Sequence, residues 1–241
     1  MFKGKSILAI IPARGGSKGI PRKNIIPVAG KPLIAWTIEE AKKSSHIDRL
    51  ILSSDNPEII SVARKLGCEV PFRRPAALST DSSPSIDAVL HALRKVGTGY
   101  DYIILLQTTS PIRSCEDIDG AIEKCISLNA DSCVSVVEPK KSPFWTYKTD
   151  LKGRLVPLIK RGLVKRRQDL PQTYCLNGAI YVAKVEWLLK SKSLIGRNTV
   201  PYVMGEINSI DIDSRFELDI TDFIIRKMQR ESGVWKKHHA K

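Results

Sequence analysis

Cysteine is scarce in this chain: the 241 residues contain five, at positions 68, 115, 125, 133 and 175, with no C-x-x-C pair among them. An odd number without ligand spacing, in a chain long enough to bury a core, argues against both a disulfide framework and a zinc site. Most of the five are expected to act as small buried hydrophobes, with Cys175 set apart. Histidine is scarcer still, at 46, 91, 238 and 239, and none stands beside a G-x-S-x-G or reactive-cysteine signature. No Ser or Cys nucleophile with an imidazole base is therefore marked. Long apolar runs are also missing, since nothing approaches the roughly 20 residues that span a bilayer. Ile7 to Ile11, behind Lys3 and Lys5, is cut off by Pro12 and Arg14. It reads as a buried strand rather than a signal segment, so a cytoplasmic protein with no membrane partner is expected. Neither an internal repeat nor a low-complexity tract is present.

What is present suits a globular enzyme-sized fold. Hydrophobic residues make up 42% and charged residues 27%, with 39 Lys and Arg against 25 Asp and Glu, a formal charge of +14. The length fits one α/β domain over residues 1–241. Short apolar runs alternate with helical patterns. Ile7–Ile11, Arg49–Asp55, Tyr102–Gln107, Val134–Val137 and Ala179–Val182 read as strands. Helices are expected after Pro32, over 58–66 with Pro57 in the first turn, from Ser85 with Ser83 or Ser85 as cap, and after Ser114 with Asp117 completing a capping box. This alternation predicts a doubly wound, mostly parallel sheet with helices on both faces. Ligands of such sheets lie beyond the strands' carboxyl ends, here the loops after Ile11, Asp55 and Gln107.

One stretch interrupts the alternation. Residues 139–167 hold ten Lys and Arg against Asp150 alone, a local charge of +9, together with Phe144, Trp145 and Tyr147. Exposed aromatics beside cations are better explained by an interface or a site than by a solvated hairpin, so 139–170 is read as an inserted basic arm. The basic tail from Arg226 to Lys241 reads as a frayed helix end.

Two constellations carry chemistry. The loop Pro12–Asn24 places Gly15, Gly16 and Gly19 directly after a buried strand, with Arg14, Lys18, Arg22 and Lys23 as four cations on the same short segment. Glycines that let amides approach an anion, among cations, predict polyphosphate binding. The spacing is neither G-x-x-x-x-G-K-[ST] nor G-x-G-x-x-G, so a P-loop ATPase and a dinucleotide-binding oxidoreductase are both unsupported. The second is Ser209-Ile-Asp211-Ile-Asp213. If extended, both carboxylates share one face and both isoleucines the other, an arrangement suited to Mg²⁺ holding phosphate oxygens. The structural alternative is that Asp213 caps a helix beginning near Arg215. Gln107-Thr-Thr-Ser-Pro111, Arg74-Pro75 and Ser82-Ser-Pro-Ser85 supply further polar groups where a site belongs.

The string I-I-P-A-R-G-G-S-K-G-I-P-R-K-N over residues 10–24 closely resembles the signature of the CMP-sialic acid synthetases, the N-acylneuraminate cytidylyltransferases. Further matches follow in order: Arg74-Pro-Ala76, Leu105-Leu-Gln-x-Thr-Ser-Pro-x-Arg113, Arg167-Gln-x-Leu-Pro171, Asn177-Gly-Ala-Ile-Tyr181 and Ser209-Ile-Asp-Ile-Asp213. The resemblance implies a Rossmann-like nucleotidyltransferase that transfers CMP from CTP to the anomeric hydroxyl of a nine-carbon α-keto acid sugar, N-acetylneuraminic acid first, releasing pyrophosphate. It implies legionaminic or pseudaminic acid as alternatives, and Kdo more distantly. By the same resemblance Arg14, Ser17 and Lys23 contact the triphosphate, with Lys23 on the α-phosphate. Asn24, Arg74 and Ser83 contact cytidine, Gln107 holds the sugar with Asn177 and Tyr181 near it, and Asp211 and Asp213 hold Mg²⁺. A homodimer joined through the 139–170 arm is also implied. Cys175 stands where the family often has Arg, which leaves Arg166 or Arg167 to supply a cation. A nucleic-acid-binding protein, suggested by the +14 charge and the aromatic arm, explains none of the ordered motifs. A nucleotidyltransferase of sugar-1-phosphates shares the architecture but would take a phosphorylated sugar.

Overall fold

The computed structural model describes residues 1–17, 19–159, 166 and 170–239, the last eight by backbone alone. Strand β1 (Ile7–Pro12) is fully buried from Ile7 to Ile11, as an apolar run without polar alternation requires of a strand covered on both faces. Strands β2 (Arg49–Ser53) and β3 (Tyr102–Leu106) pair with it in parallel. With β4 (Ser132–Val137), β5 (Cys175–Lys184) and β6 (Thr199–Val203) they form a six-stranded sheet of order β6-β4-β5-β3-β1-β2.

The expected mixture of strands and helices is present, with two departures. Strand β5 runs antiparallel to both β3 and β4. Between β4 and β5 the described residues contain no helix that crosses the sheet, and strands joined without such a crossover run in opposite senses. Strand β6 pairs in parallel with β4 at the sheet edge, a strand the sequence pattern does not announce. Pro201 sits within it, and a proline reads as a break unless the strand is an edge, where no ladder partner is lost.

Helices α1 (Leu33–Lys43), α2 (Pro57–Lys65) and α4 (Cys115–Ser127) cover one face, their Ile34, Ile38, Ile59 and Ile122 packing with Ile7, Ala9 and Ile11. Helices α3 (Ser85–Val96) and α5 (Val185–Ser191) cover the other, with Val89, Leu93 and Leu188 against Leu8 and Ile10. Burying an aliphatic side chain of this kind contributes roughly 1.5–3 kcal/mol. Asn56 caps α2, accepting from the amides of Glu58 and Ile59, and Ser114 with Asp117 forms the expected capping box on α4. Helix α3 differs: Pro84 holds its N-cap position without a side-chain cap, and the Ser83 hydroxyl turns instead to the Ala77 carbonyl and Thr80. Helix α6 (Arg215–His239) packs Leu218 and Ile225 against Val28 and Leu33.

Among the described residues of 139–170, Tyr147–Thr149 and Leu155–Pro157 form a short antiparallel hairpin, preceded by a single turn at Pro143–Trp145. Asp150 closes its loop by accepting from the amides of Lys152 and Arg154, while Gly153 takes the left-handed φ of +74° that the reversal needs. Trp145, Tyr147, Leu155 and Leu158 are all exposed. No helix among the described residues is long and apolar enough to cross a membrane.

Candidate active site

A cavity of about 290 Å³ opens beyond the carboxyl ends of β1 and β3, where a parallel sheet of this kind leaves room for a ligand. It collects most of the residues singled out in the sequence: Arg14, Ser17, Lys23 and Asn24, then Arg74, Ser83 and Gln107, and finally Asp211 and Asp213.

The loop after β1 is held by packing as much as by flexibility. A Cβ on Gly15 would meet the Asn56 side chain at 2.8 Å, and one on Gly19 would meet the Asp213 carbonyl oxygen at 2.8 Å. Two of the three glycines thus bring the loop against the α2 cap and the D-x-D segment, and Gly16 alone faces open space. The Gly15 amide donates to Asp55 Oδ1 at 3.0 Å. The four expected loop cations do not all converge. Arg14 and Lys23 line the cavity, whereas Arg22, at φ 58°, points to Glu58 at 2.6 Å and is largely exposed. Lys18 lies outside the described residues.

Lys23 joins the two constellations. Its Nζ donates to the Ile212 carbonyl at 2.7 Å and lies 3.5 Å from Asp213 Oδ1. Asn24 also lines the cavity, but its amide is committed on both sides, donating to the Arg14 carbonyl at 2.9 Å and accepting from the Thr108 hydroxyl. It braces the loop against the end of β3. Arg74 is buried, its Nε donating to the Ser79 hydroxyl at 2.9 Å and its Nη2 3.9 Å from Asp55. Burial holds its pKa below the usual arginine value, offset in part by Asp55.

The D-x-D segment is not a sheet strand, yet its alternation holds. Ile210 and Ile212 enter the apolar cluster with Ile20, Leu33 and Leu218, and both aspartates face the cavity. The Ile212 amide donates to the Thr109 carbonyl at 2.8 Å, which ties the segment to the loop after β3. Asp213 is not a helix cap, because Ser214 and Glu217 provide that exchange. Asp211 is largely buried, and burial pushes its carboxyl above the ordinary carboxylate range. Its Oδ1 has no hydrogen-bond partner. An unsatisfied buried carboxylate oxygen beside an exposed second carboxylate fits a hard divalent cation such as Mg²⁺, which commonly uses one or two carboxylates plus phosphate and water. Among the described residues no group of three His, Cys, Asp or Glu converges to hold a metal. The other ligands would have to come from substrate and water.

Gln107 stands at the end of β3. Its carbonyl and that of Ala179 both accept from Nη1 of Arg113, at 3.0 and 2.9 Å. Arg113 is wholly buried, and desolvation lowers it to about 10. Between Gln107 and Asp211 lies Gly178, at φ +76°, where a Cβ would stand 3.7 Å from Gln107 Oε1 and 3.6 Å from Asp211 Oδ2. Arg113 and Gly178 fall inside quoted motifs but carried no assigned role, because neither shows its burial or backbone angle in the sequence.

Two expected sugar neighbours are not brought into the cavity. Asn177 is buried, donates to the Ser209 hydroxyl at 2.9 Å and accepts from the Ser135 hydroxyl, so it anchors the start of the D-x-D segment. Tyr181 packs in the cluster under α3 and α5, and burial raises its phenol. Cys175 is exposed at the start of β5 and does not line the cavity. Arg167 lies outside the described residues. Asp81, by contrast, does line the cavity and was not anticipated, since it stands in none of the motifs singled out in the sequence.

The sequence model of the family described as cytidylyltransferase matches residues 8–184. The chain is 38% identical over 228 residues to a CMP-N,N'-diacetyllegionaminic acid synthase of Legionella pneumophila, covering 92% of this chain and 97% of that one. It is 32% identical over 225 residues to an N-acylneuraminate cytidylyltransferase of Escherichia coli, covering 93% of this chain and 53% of that longer relative. A CMP:2-keto-3-deoxy-manno-octonic acid synthetase complexed with CTP superposes with a TM-score of 0.70 over 92% of this chain and 99% of that one, at 15% identity, a likeness of fold. The chain belongs to the cytidylyltransferase family, in its CMP-sialic acid synthetase type, and is a nucleotidyltransferase.

Proposed function

We propose that this protein transfers CMP from CTP to the anomeric hydroxyl of a nine-carbon α-keto acid sugar and releases pyrophosphate. The observation that carries the reading is the union, in one cavity, of the cationic loop after β1 with the Asp211–Asp213 carboxylates, joined through Lys23. Phosphoryl chemistry of this kind needs positioning and charge neutralisation more than covalent catalysis. Arg14 and Ser17 bind the triphosphate, and Lys23 stabilises charge on the α-phosphate as the pyrophosphate leaves. Arg74 and Ser83 face the cytosine end, with Asn24 bracing the loop. Gln107, beside the space that Gly178 leaves open, faces the sugar. Asp211 and Asp213 hold Mg²⁺, which when bound neutralises phosphate charge and favours ionisation of the attacking hydroxyl.

N-acetylneuraminic acid is the reading the motifs favour. Its diacetylated legionaminic counterpart is favoured by the 38% identity to a synthase of that product over nearly its whole length. The five cysteines are all free, which suits a reducing, cytoplasmic setting. The exposed apolar side chains of the arm suit a homodimer.

Pyrophosphate release is the test, with CTP and Mg²⁺ against N-acetylneuraminic, N,N'-diacetyllegionaminic, pseudaminic and Kdo acceptors and with ATP, GTP and UTP as controls. Release that requires CTP and one nonulosonic acid establishes the reaction and identifies the sugar. Release with a sugar-1-phosphate instead, or with no acceptor in the panel, overturns it.

A further inference from the structure

Asp81 is a cavity carboxylate that lies outside the Asp211–Asp213 motif and works against the charge the cavity is built to take. Its Oδ1 lies 2.6 Å from Nη2 of Arg14, and both side chains are about a third to two-fifths exposed. Among the described lining residues the three cations Arg14, Lys23 and Arg74 face the three carboxylates Asp81, Asp211 and Asp213. A divalent ion can neutralise Asp211 and Asp213, whereas Asp81 belongs to a different segment, the loop between Arg74 and α3. A phosphate seated on Arg14 would meet this carboxylate at close range, and like charges a few ångströms apart in a partly desolvated cleft repel strongly.

The loop that carries Asp81 is suited to movement. Its hydrogen bonds are largely local: Ser79 to the Pro75 carbonyl, Thr80 with Ser82 and Ser83, and Ser83 to the Ala77 carbonyl. Two of its contacts with the rest of the cavity run through arginines, with Arg74 donating to Ser79 and Arg14 pairing with Asp81. A loop with local ties and a charged contact to the body can shift as a unit without opening the core.

We propose that Asp81 is a displaceable counter-ion of the triphosphate site. It holds the Arg14 guanidinium over the cavity, competes with the nucleotide's phosphates for it, and returns to it as pyrophosphate departs. Asp81 thereby sets the affinity for CTP and speeds product release. This inference rests on the proposed function, because it takes Arg14 as a phosphate ligand. A fixed buttress that merely orients Arg14 would have the opposite consequence, since its removal would weaken phosphate binding.

The experiment is calorimetric titration of CTP and of inorganic pyrophosphate into the wild type, Asp81→Asn, Arg14→Ala and the double variant, all with Mg²⁺ and without sugar. Asn matches Asp in shape, and equal melting temperatures verify the fold. Asp81→Asn is expected to bind both ligands about fivefold more tightly, the worth of a well-placed, partly exposed pair. In the Arg14→Ala background the gain should fall to less than about half of that. Unchanged or weaker binding by Asp81→Asn overturns the proposal, as does a gain that persists undiminished without Arg14, which would assign the effect to net charge. Wild-type protein that binds neither ligand overturns the site reading and this inference together. CTP binding without the Asp81 effect overturns this inference alone.

Discussion

Asp211 concentrates the tension of the site. Its carboxylate is largely buried, its Oδ1 has no partner, and burial raises its pKa, so the ionised form is held at a cost to the fold. Asp211→Asn removes that charge while keeping the shape. In metal-free buffer near pH 7 the variant is expected to melt above the wild type, while Mg²⁺-dependent turnover falls about a hundredfold or more. Thermal denaturation in EDTA and a steady-state assay measure the two. A lower melting temperature, or undiminished turnover, would remove Asp211 from the role given it. The residue scale is also where the sequence was most legible. Arg14, Ser17, Lys23, Arg74, Ser83, Gln107 and the two aspartates all reach the cavity, because their motifs fix local geometry that the fold preserves. Asn177 and Tyr181, expected near the sugar, do not line the cavity: Asn177 is engaged by Ser135 and Ser209, and Tyr181 packs half-buried against the cluster under α3 and α5, within electrostatic reach of Asp211. Adjacent positions in a motif share a strand but not a face.

At the scale of elements, the start of β1 is fixed by Asp101, at the head of β3. Its carboxylate accepts from the Ser6 amide at 2.9 Å and from Lys5 Nζ at 2.9 Å, and the amide contact above all holds its pKa below the ordinary Asp value. A carboxylate with a depressed folded pKa contributes stability above its unfolded pKa and loses it as the pH falls through the folded one. Asp101→Ala is therefore expected to lower Tm by about 2–4 °C at pH 7, with the difference from wild type closing as the pH falls from about 5 to 2. A gap that is constant with pH would mean that packing rather than the carboxylate's charge is responsible. Helices α1 to α4 and most strands were legible as periodic patterns, with Pro57 and the Ser114–Asp117 box among the start signals, whereas the Asn56 cap and helix α5 were not. The edge strand at Thr199–Val203 was not, because Pro201 and half-exposed neighbours carry no burial signal.

For the whole molecule the arm is decisive. Trp145, Tyr147, Leu155 and Leu158 lie exposed on a hairpin outside the sheet, an apolar surface that a solitary chain seldom leaves uncovered. Light scattering at micromolar concentration is expected to give twice the 26.9 kDa chain mass, and the double substitution Leu155→Glu and Leu158→Glu to give that mass once. A wild-type monomer would refute the dimer. The +14 charge, which alone resembles a nucleic-acid footprint, is distributed over surfaces of which the cavity takes only three cations among the described residues.

The amino-acid order by itself determined the class of fold, the buried strands, the cationic loop after β1 and the family, because these depend on residue type and spacing within short segments. Only the tertiary structure decided that β5 runs antiparallel, that Lys23 ties the loop to the carboxylates, that Asn177 is a brace, and that Asp81 sits on Arg14. Each of these is a contact between residues from 32 to 189 positions apart or a direction of chain return. Such features follow from how separate elements pack against one core, which no local pattern encodes.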